Sequence, residues 1–92
     1  MSEYIDIETE LGDDGVVLFH TNLKLTAAGR REFYASADEL AEGSPVAQAL
    51  VVVADIETVT MSEGEMTITT LPDADWHAII ADVTAALKDF FL

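Results

Sequence analysis

Ile56-Glu57-Thr58-Val59-Thr60-Met61-Ser62-Glu63-Gly64-Glu65-Met66-Thr67-Ile68-Thr69-Thr70-Leu71-Pro72-Asp73-Ala74-Asp75-Trp76 is the stretch that decides the fold class. Residues 56–61 and 66–71 read as two strands, with Thr58, Thr60, Thr67, Thr69 and Thr70 supplying β propensity and polar outer positions. Residues 62–65 join them tightly, which predicts a hairpin. Leu71-Pro72-Asp73 stops the second strand. Beyond it Trp76, Ile79, Ile80, Val83, Leu87, Phe90 and Phe91 recur at spacings of three and four, a single apolar stripe on a helix. Asp73 and Asp75 stand at the positive end of that helix and Lys88 in its last turns, both as the helix dipole favours. An amphipathic helix must cover a sheet face, so the segment implies a sheet with helices packed against it.

Upstream, Tyr4, Ile5 and Ile7 alternate with acids as a short first strand, and Gly12-Asp13-Asp14-Gly15 is a turn signal. Val16-Val17-Leu18-Phe19 reads as the returning strand, continuing through Leu23 and Leu25 until Ala28-Gly29-Arg30 breaks it. Residues 31–34 form a third short, edge-like strand. Ser36 with Glu39 three places on makes a capping box over one short helical turn that ends at Gly43. Ser44-Pro45 then opens a second helix, with Ser as N-cap and Pro where its missing N–H costs nothing. Val46, Ala49, Leu50 and Val53 share one face, and the β-branched run Val51-Val52-Val53 predicts fraying there. The expected fold class is α+β: a small mixed or antiparallel sheet of about four strands, with two helices packed on one face. Residues 1–92 contain no repeat, low-complexity tract or linker and are expected to form a single domain.

Composition narrows the function classes. The 92 residues carry 18 Asp and Glu against 4 Lys and Arg, a formal net charge of −14, yet half of them are hydrophobic and fall in organised runs, which excludes charge-driven disorder. There is no Cys, which removes disulfides, thiolate metal ligands, a cysteine nucleophile and a thiolate-held iron–sulfur cluster within these residues. An acidic chain repels nucleic-acid phosphates and anionic membranes alike. The longest apolar run, residues 49–54, is far short of a transmembrane helix, and Met1-Ser2-Glu3 lacks the features of a signal peptide; the expectation is a cytoplasmic protein. The acids scatter along the whole chain, which suits a solvated, salt-tolerant surface better than a dedicated patch for a basic partner.

Five segments, in order, resemble one family. Asn22-Leu23-Lys24-Leu25 is similar to the end of an Asn-x-Leu-Lys-Phe segment. The run from Arg31 through Ser36-Ala37-Asp38-Glu39 to Ser44-Pro45-Val46-Ala47 resembles a capped turn followed by a Ser-Pro helix start. Thr67-Ile68-Thr69-Thr70 resembles a Thr-rich strand closing a hairpin. Asp73-Ala74-Asp75-Trp76 precedes a long amphipathic helix, and Asp89-Phe90-Phe91 closes it with aromatics. Together these are similar to the N-terminal domain of Nfu/NifU-type scaffold proteins, over about residues 5–91. Two departures stand out. A Pro-Asn-Pro-Asn element is replaced by Phe19-His20-Thr21-Asn22, and the Cys-x-x-Cys pair that many members carry in a second domain is absent. The resemblance implies an accessory, non-catalytic, protein-binding module of iron–sulfur cluster assembly or delivery. It would hold no cofactor of its own, act as a monomer, and meet an iron–sulfur carrier or client in trans.

Each candidate site residue has a plainer reading beside the functional one. His20 and His77 are far apart in sequence and have no metal-ligand spacing. Asp13-Asp14-Gly15 lacks the ligand series of a calcium loop and reads as a turn. Asp73 and Asp75 are explained by helix capping rather than acid–base chemistry, and Trp76 by anchoring the apolar stripe in the core. No Ser–His–Asp order, phosphate loop or nucleophile elbow occurs, so no enzyme is expected. Arg30-Arg31, the one basic cluster, reads as part of a surface ion-pair network or as a docking point for an acidic partner. Asn22 and Lys24, from the Leu-Lys segment, complete the partner-contact candidates. The alternative to a cluster-assembly module is an acidic metal- or ligand-binding module that uses His20 or His77.

Overall fold

The computed structural model describes residues 6–13, 15–26 and 29–91. Five strands, β1 (Ile7–Leu11), β2 (Val16–Thr21), β3 (Arg31–Tyr34), β4 (Ile56–Ser62) and β5 (Glu65–Thr70), form one sheet in the order β1-β2-β5-β4-β3. Every pairing is antiparallel. Helices α1 (Ala37–Ala41) and α2 (Pro45–Ala49) follow β3, and α3 (Trp76–Phe91) follows β5. The fold is therefore α+β as expected, with the sheet antiparallel throughout and extended to a fifth strand.

The decisive stretch folds as its pattern requires except at Thr70, which is buried on the helix side with its Oγ donating to the Gly15 carbonyl at 2.9 Å instead of taking an outer position. Val59 opposes Ile68 and Met61 opposes Met66, all four almost fully buried on one face, while Thr58, Thr60, Thr67 and Thr69 take the other. Ser62 opposes Glu65, leaving Glu63-Gly64 as the turn. Gly64 has φ +83°, a region that only glycine enters freely. Residues opposed across an antiparallel pair share a face, so Val17 and Phe19 of β2 join the same buried layer as Ile68 and Met66. Ile79, Val83 and Leu87 of α3 close over it, together with Leu40, Val46, Ala47 and Leu50 from the shorter helices. Each of the large aliphatic side chains contributes about 1.5–3 kcal/mol by leaving water. All the helices thus feed one core on one face of the sheet. Among the described residues no helix is long and apolar enough to cross a membrane.

The caps behave as read. Ser36 Oγ accepts from the Glu39 N–H at 3.2 Å, and Glu39 answers by accepting from the Ala35 N–H at 3.3 Å, one residue earlier than the usual box. Ser44 Oγ accepts from the Ala47 N–H at 3.3 Å with Pro45 opening α2. At Leu50–Val52 the chain tightens into a 3-10 turn, where the valine run undermines α-helix.

The first strand is seen over Ile7–Leu11, and Tyr4 and Ile5 lie outside the described residues, as do Asp14 of the turn and Ala28 of the break. Two further expectations are corrected. β2 ends at Thr21, so Leu23 and Leu25 belong to a loop, and Leu25 is buried in the core instead of continuing the strand. Trp76 is not a core anchor: it is 38% exposed and stacks on the neighbouring His77 ring, centroids 3.6 Å apart. At the far end of the stripe Phe90 is likewise 42% exposed, while Phe91 packs against the core.

Candidate functional site

β2 is second in the sheet and β3 is last, so the chain leaves the sheet after Thr21 and re-enters it at Arg31 on the far side of β5 and β4. This crossover carries Asn22, Lys24 and Arg30 and delivers Arg31 to the start of β3. The four partner-contact candidates, two close pairs in the sequence, therefore fall at one end of the sheet.

The local tethers explain how. The Thr21 N–H donates to the Gly64 carbonyl at 2.9 Å, which pins the end of β2 to the β4–β5 turn. Asn22 is then held twice: its side-chain carbonyl accepts from the Asp6 N–H at 3.0 Å, and its own N–H donates to the Asp6 carbonyl at 3.2 Å. Its amide oxygen is thus spent on shaping the loop. Leu25, 3% exposed, anchors the loop in the core, and Thr26 Oγ donates to the Arg30 carbonyl at 2.9 Å to close it. These ties leave Lys24, Arg30 and Arg31 as exposed side chains on a braced frame. The expected ion-pair network around Arg30-Arg31 is not formed: among the described residues, the carboxylates within 4.0 Å of a cationic group are those beside the two histidines. Arg31 has Ser62 as its cross-strand neighbour, which offers it no charge.

The histidines are separated by the thickness of the fold. His20 lies on the sheet face away from the helices, with Nε2 3.6 Å from a Glu10 carboxylate oxygen and with Glu8 and Glu65 as its cross-strand neighbours. His77 lies in the first turn of α3, with Nδ1 3.9 Å from Asp75. Among the described residues no three His, Asp or Glu side chains converge as metal ligands. Asp75 is a helix cap, accepting from the His77 N–H at 3.0 Å and the Ala78 N–H at 3.4 Å. Asp13, Gly12 and Gly15 form the β1–β2 turn, where the Gly12 N–H donates to the Val16 carbonyl at 2.8 Å.

Comparison with known proteins places this geometry. The family described as "Scaffold protein Nfu/NifU N terminal" matches residues 8–92. The chain belongs to the Nfu/NifU N-terminal family. That family is linked to iron–sulfur cluster assembly. The fold matches the solution structure of a NifU-like protein from Saccharomyces cerevisiae at a TM-score of 0.78 and 18% identity, over 97% of this chain and 82% of that one. It also matches the crystal structure of protein SAV1430 from Staphylococcus aureus at a TM-score of 0.69 and 12% identity, over 89% of this chain and 94% of the other. No sequence among the curated proteins matches it. For a member of the Nfu/NifU N-terminal family, the segments that carried the resemblance turn out to be structural: caps of α1, α2 and α3, and the hairpin.

Phe33 is the residue that sequence reading passed over. It is 59% exposed on β3, beside Arg31 on the face away from the helices. The signal was available in the alternation Arg31-Glu32-Phe33-Tyr34. Once Tyr34 joins the helix side, Phe33 must point the other way.

Proposed function

We propose that this protein is a non-catalytic accessory module of iron–sulfur cluster assembly, which holds no cluster itself and docks on a carrier or client protein supplied in trans. The observation that carries this reading is the family match over residues 8–92. The absence of cysteine from the sequence supports a role in contact rather than in cluster ligation, since thiolates are the usual ligands. The contact residues proposed are Lys24, Arg30 and Arg31, with Asn22 bracing the loop that presents them. A cytoplasmic monomer is the working form.

The test is an amide-shift titration of labelled protein with a cluster-loaded Cys-x-x-Cys carrier domain. Localised, saturable shifts support the module reading. An unchanged spectrum at high protein concentration would leave the family fold in place and remove the role.

A further inference from the structure

The registers of the four strand pairs fix what lies on the sheet face that no helix covers. One row runs Glu10, Leu18, Thr67, Thr60, Phe33 across all five strands, and the next runs Glu8, His20, Glu65, Ser62, Arg31. A third, shorter row holds Val16, Thr69 and Thr58. Acids make up 18 of the 92 residues, yet the seven side chains from Val16 and Leu18 across to Phe33 in the first and third rows are all uncharged. At the β1 edge the face is acidic. At the β3 edge it meets Arg31, with Arg30 next in the chain and Lys24 on the crossover loop at the same end. Arg31 thus lies on this face, in a row whose acids, Glu8 and Glu65, are two or more strands away, and Arg30 and Lys24 are exposed at the same end of the sheet; among the described residues none of the three has a carboxylate within 4.0 Å. On so acidic a surface, cations without acidic partners are a complement left open for an anion from outside.

We propose that the open sheet face, from Leu18 to Phe33, is a docking surface for the cluster-bearing face of an iron–sulfur carrier, with Phe33 as the apolar anchor and Arg30 and Arg31 facing the negative charge of the thiolate-held cluster. This rests on the module reading above and adds the surface and the state of the partner. A cluster held by four thiolates carries net negative charge, and the acids of this face, Glu8, Glu10 and Glu65, lie on β1 and the middle strand, with Ser62 and Thr60 between them and the Phe33–Arg31 edge. An exposed aromatic flanked by arginine is the type of pair that carries most of the energy in protein interfaces, and charge across an interface sets the rate and choice of partner. The helix layer would stay free.

The experiment compares the same carrier domain with and without its cluster, against the parent protein and four variants. Phe33→Glu and Thr60→Glu change exposed or half-exposed side chains outside the core and are each expected to weaken binding of the loaded carrier by about tenfold or more. The double variant Arg30→Glu, Arg31→Glu is expected to slow association by about tenfold and to erase the preference for the loaded form. Asp82→Arg, on the exposed side of α3, makes the net charge less negative without touching the face and should leave affinity within about twofold. Shifts confined to the helices, equal binding of loaded and empty carrier, or an Asp82→Arg gain as large as the arginine effect would overturn the docking surface while leaving the module reading. No binding of either carrier form would overturn both.

Discussion

Tyr34 is held from three sides. Its hydroxyl accepts from the Ser44 N–H at 3.2 Å and donates to the Glu32 carboxylate, and its ring lies flush against Gly43. A Cβ at residue 43 would stand 2.4 Å from Tyr34 Cε1 and 2.7 Å from Cζ. Gly43 is thus required by close approach. Gly43→Ala should lower stability by about 1–3 kcal/mol, the cost of overpacking, whereas Tyr34→Phe should cost only about 0.5–1.5 kcal/mol for the hydrogen bonds lost. With Tyr34→Ala in the background the clash disappears, so the cost of Gly43→Ala should shrink and the two changes should be strongly non-additive. Urea unfolding of the four proteins reads this directly. An unchanged midpoint for Gly43→Ala alone would show that the ring yields freely and that the hydroxyl contacts do not fix it.

At the scale of elements, the short helices depend on their first residues. A five-residue helix such as α2 is far below the length that holds alone in water, so the Ser44 cap and the burial of Val46, Ala47 and Leu50 maintain it. Ser44→Ala should cost about 1 kcal/mol and speed amide exchange across residues 46–49. Asp75→Ala should cost a similar amount at the start of α3, and Asp75→Asn much less, because asparagine caps as well as aspartate. Equal losses for Ala and Asn in thermal unfolding would mean that the charge, not the hydrogen bonds to His77 and Ala78, holds that end. These caps were legible in the sequence because each is a local pattern with a local cause: Ser-x-x-Glu, Ser-Pro, Asp before an apolar stripe. The β4–β5 hairpin was legible for the same reason. What the sequence did not reveal depends on distant partners. The end of β2 at Thr21 is set by Asp6 and Gly64, neither of which is marked by periodicity. Leu25 looked like strand because an apolar residue at even spacing does so wherever it ends up. Trp76 fitted the stripe perfectly, but whether core lies beneath one end of a stripe depends on how the helix sits on the sheet, which periodicity does not report. The contact candidates Lys24, Arg30 and Arg31 were named from composition and resemblance; their meeting at one sheet end needed the crossover, which only the strand order supplies.

Over the whole molecule, the excess of acids is a global term that no single contact reports. The protein measures 42 × 25 × 22 Å, while the screening length is about 30 Å at 0.01 M salt, 10 Å at 0.1 M and 3 Å at 1 M. In dilute buffer most of the carboxylates therefore repel one another across the fold, and unfolding relieves that repulsion by moving them apart. Few internal ion pairs offset it: among the described residues the close acid contacts are with His20 and His77. Adding sodium chloride from 0.01 to 1 M should raise the thermal midpoint, by roughly 4–8 °C for each kcal/mol of repulsion screened in a domain of this size. General salting-out would also raise it, so a second protein separates the two causes. Replacing Glu8, Glu57, Asp82 and Asp89, all exposed, with their amides removes four negative charges and touches no core residue. If self-repulsion governs, this variant melts higher than the parent at low salt, and the two curves converge as salt rises. Parallel curves would assign the salt effect to hydration alone, and coincident flat curves would show that the fold carries its charge of −14 without strain.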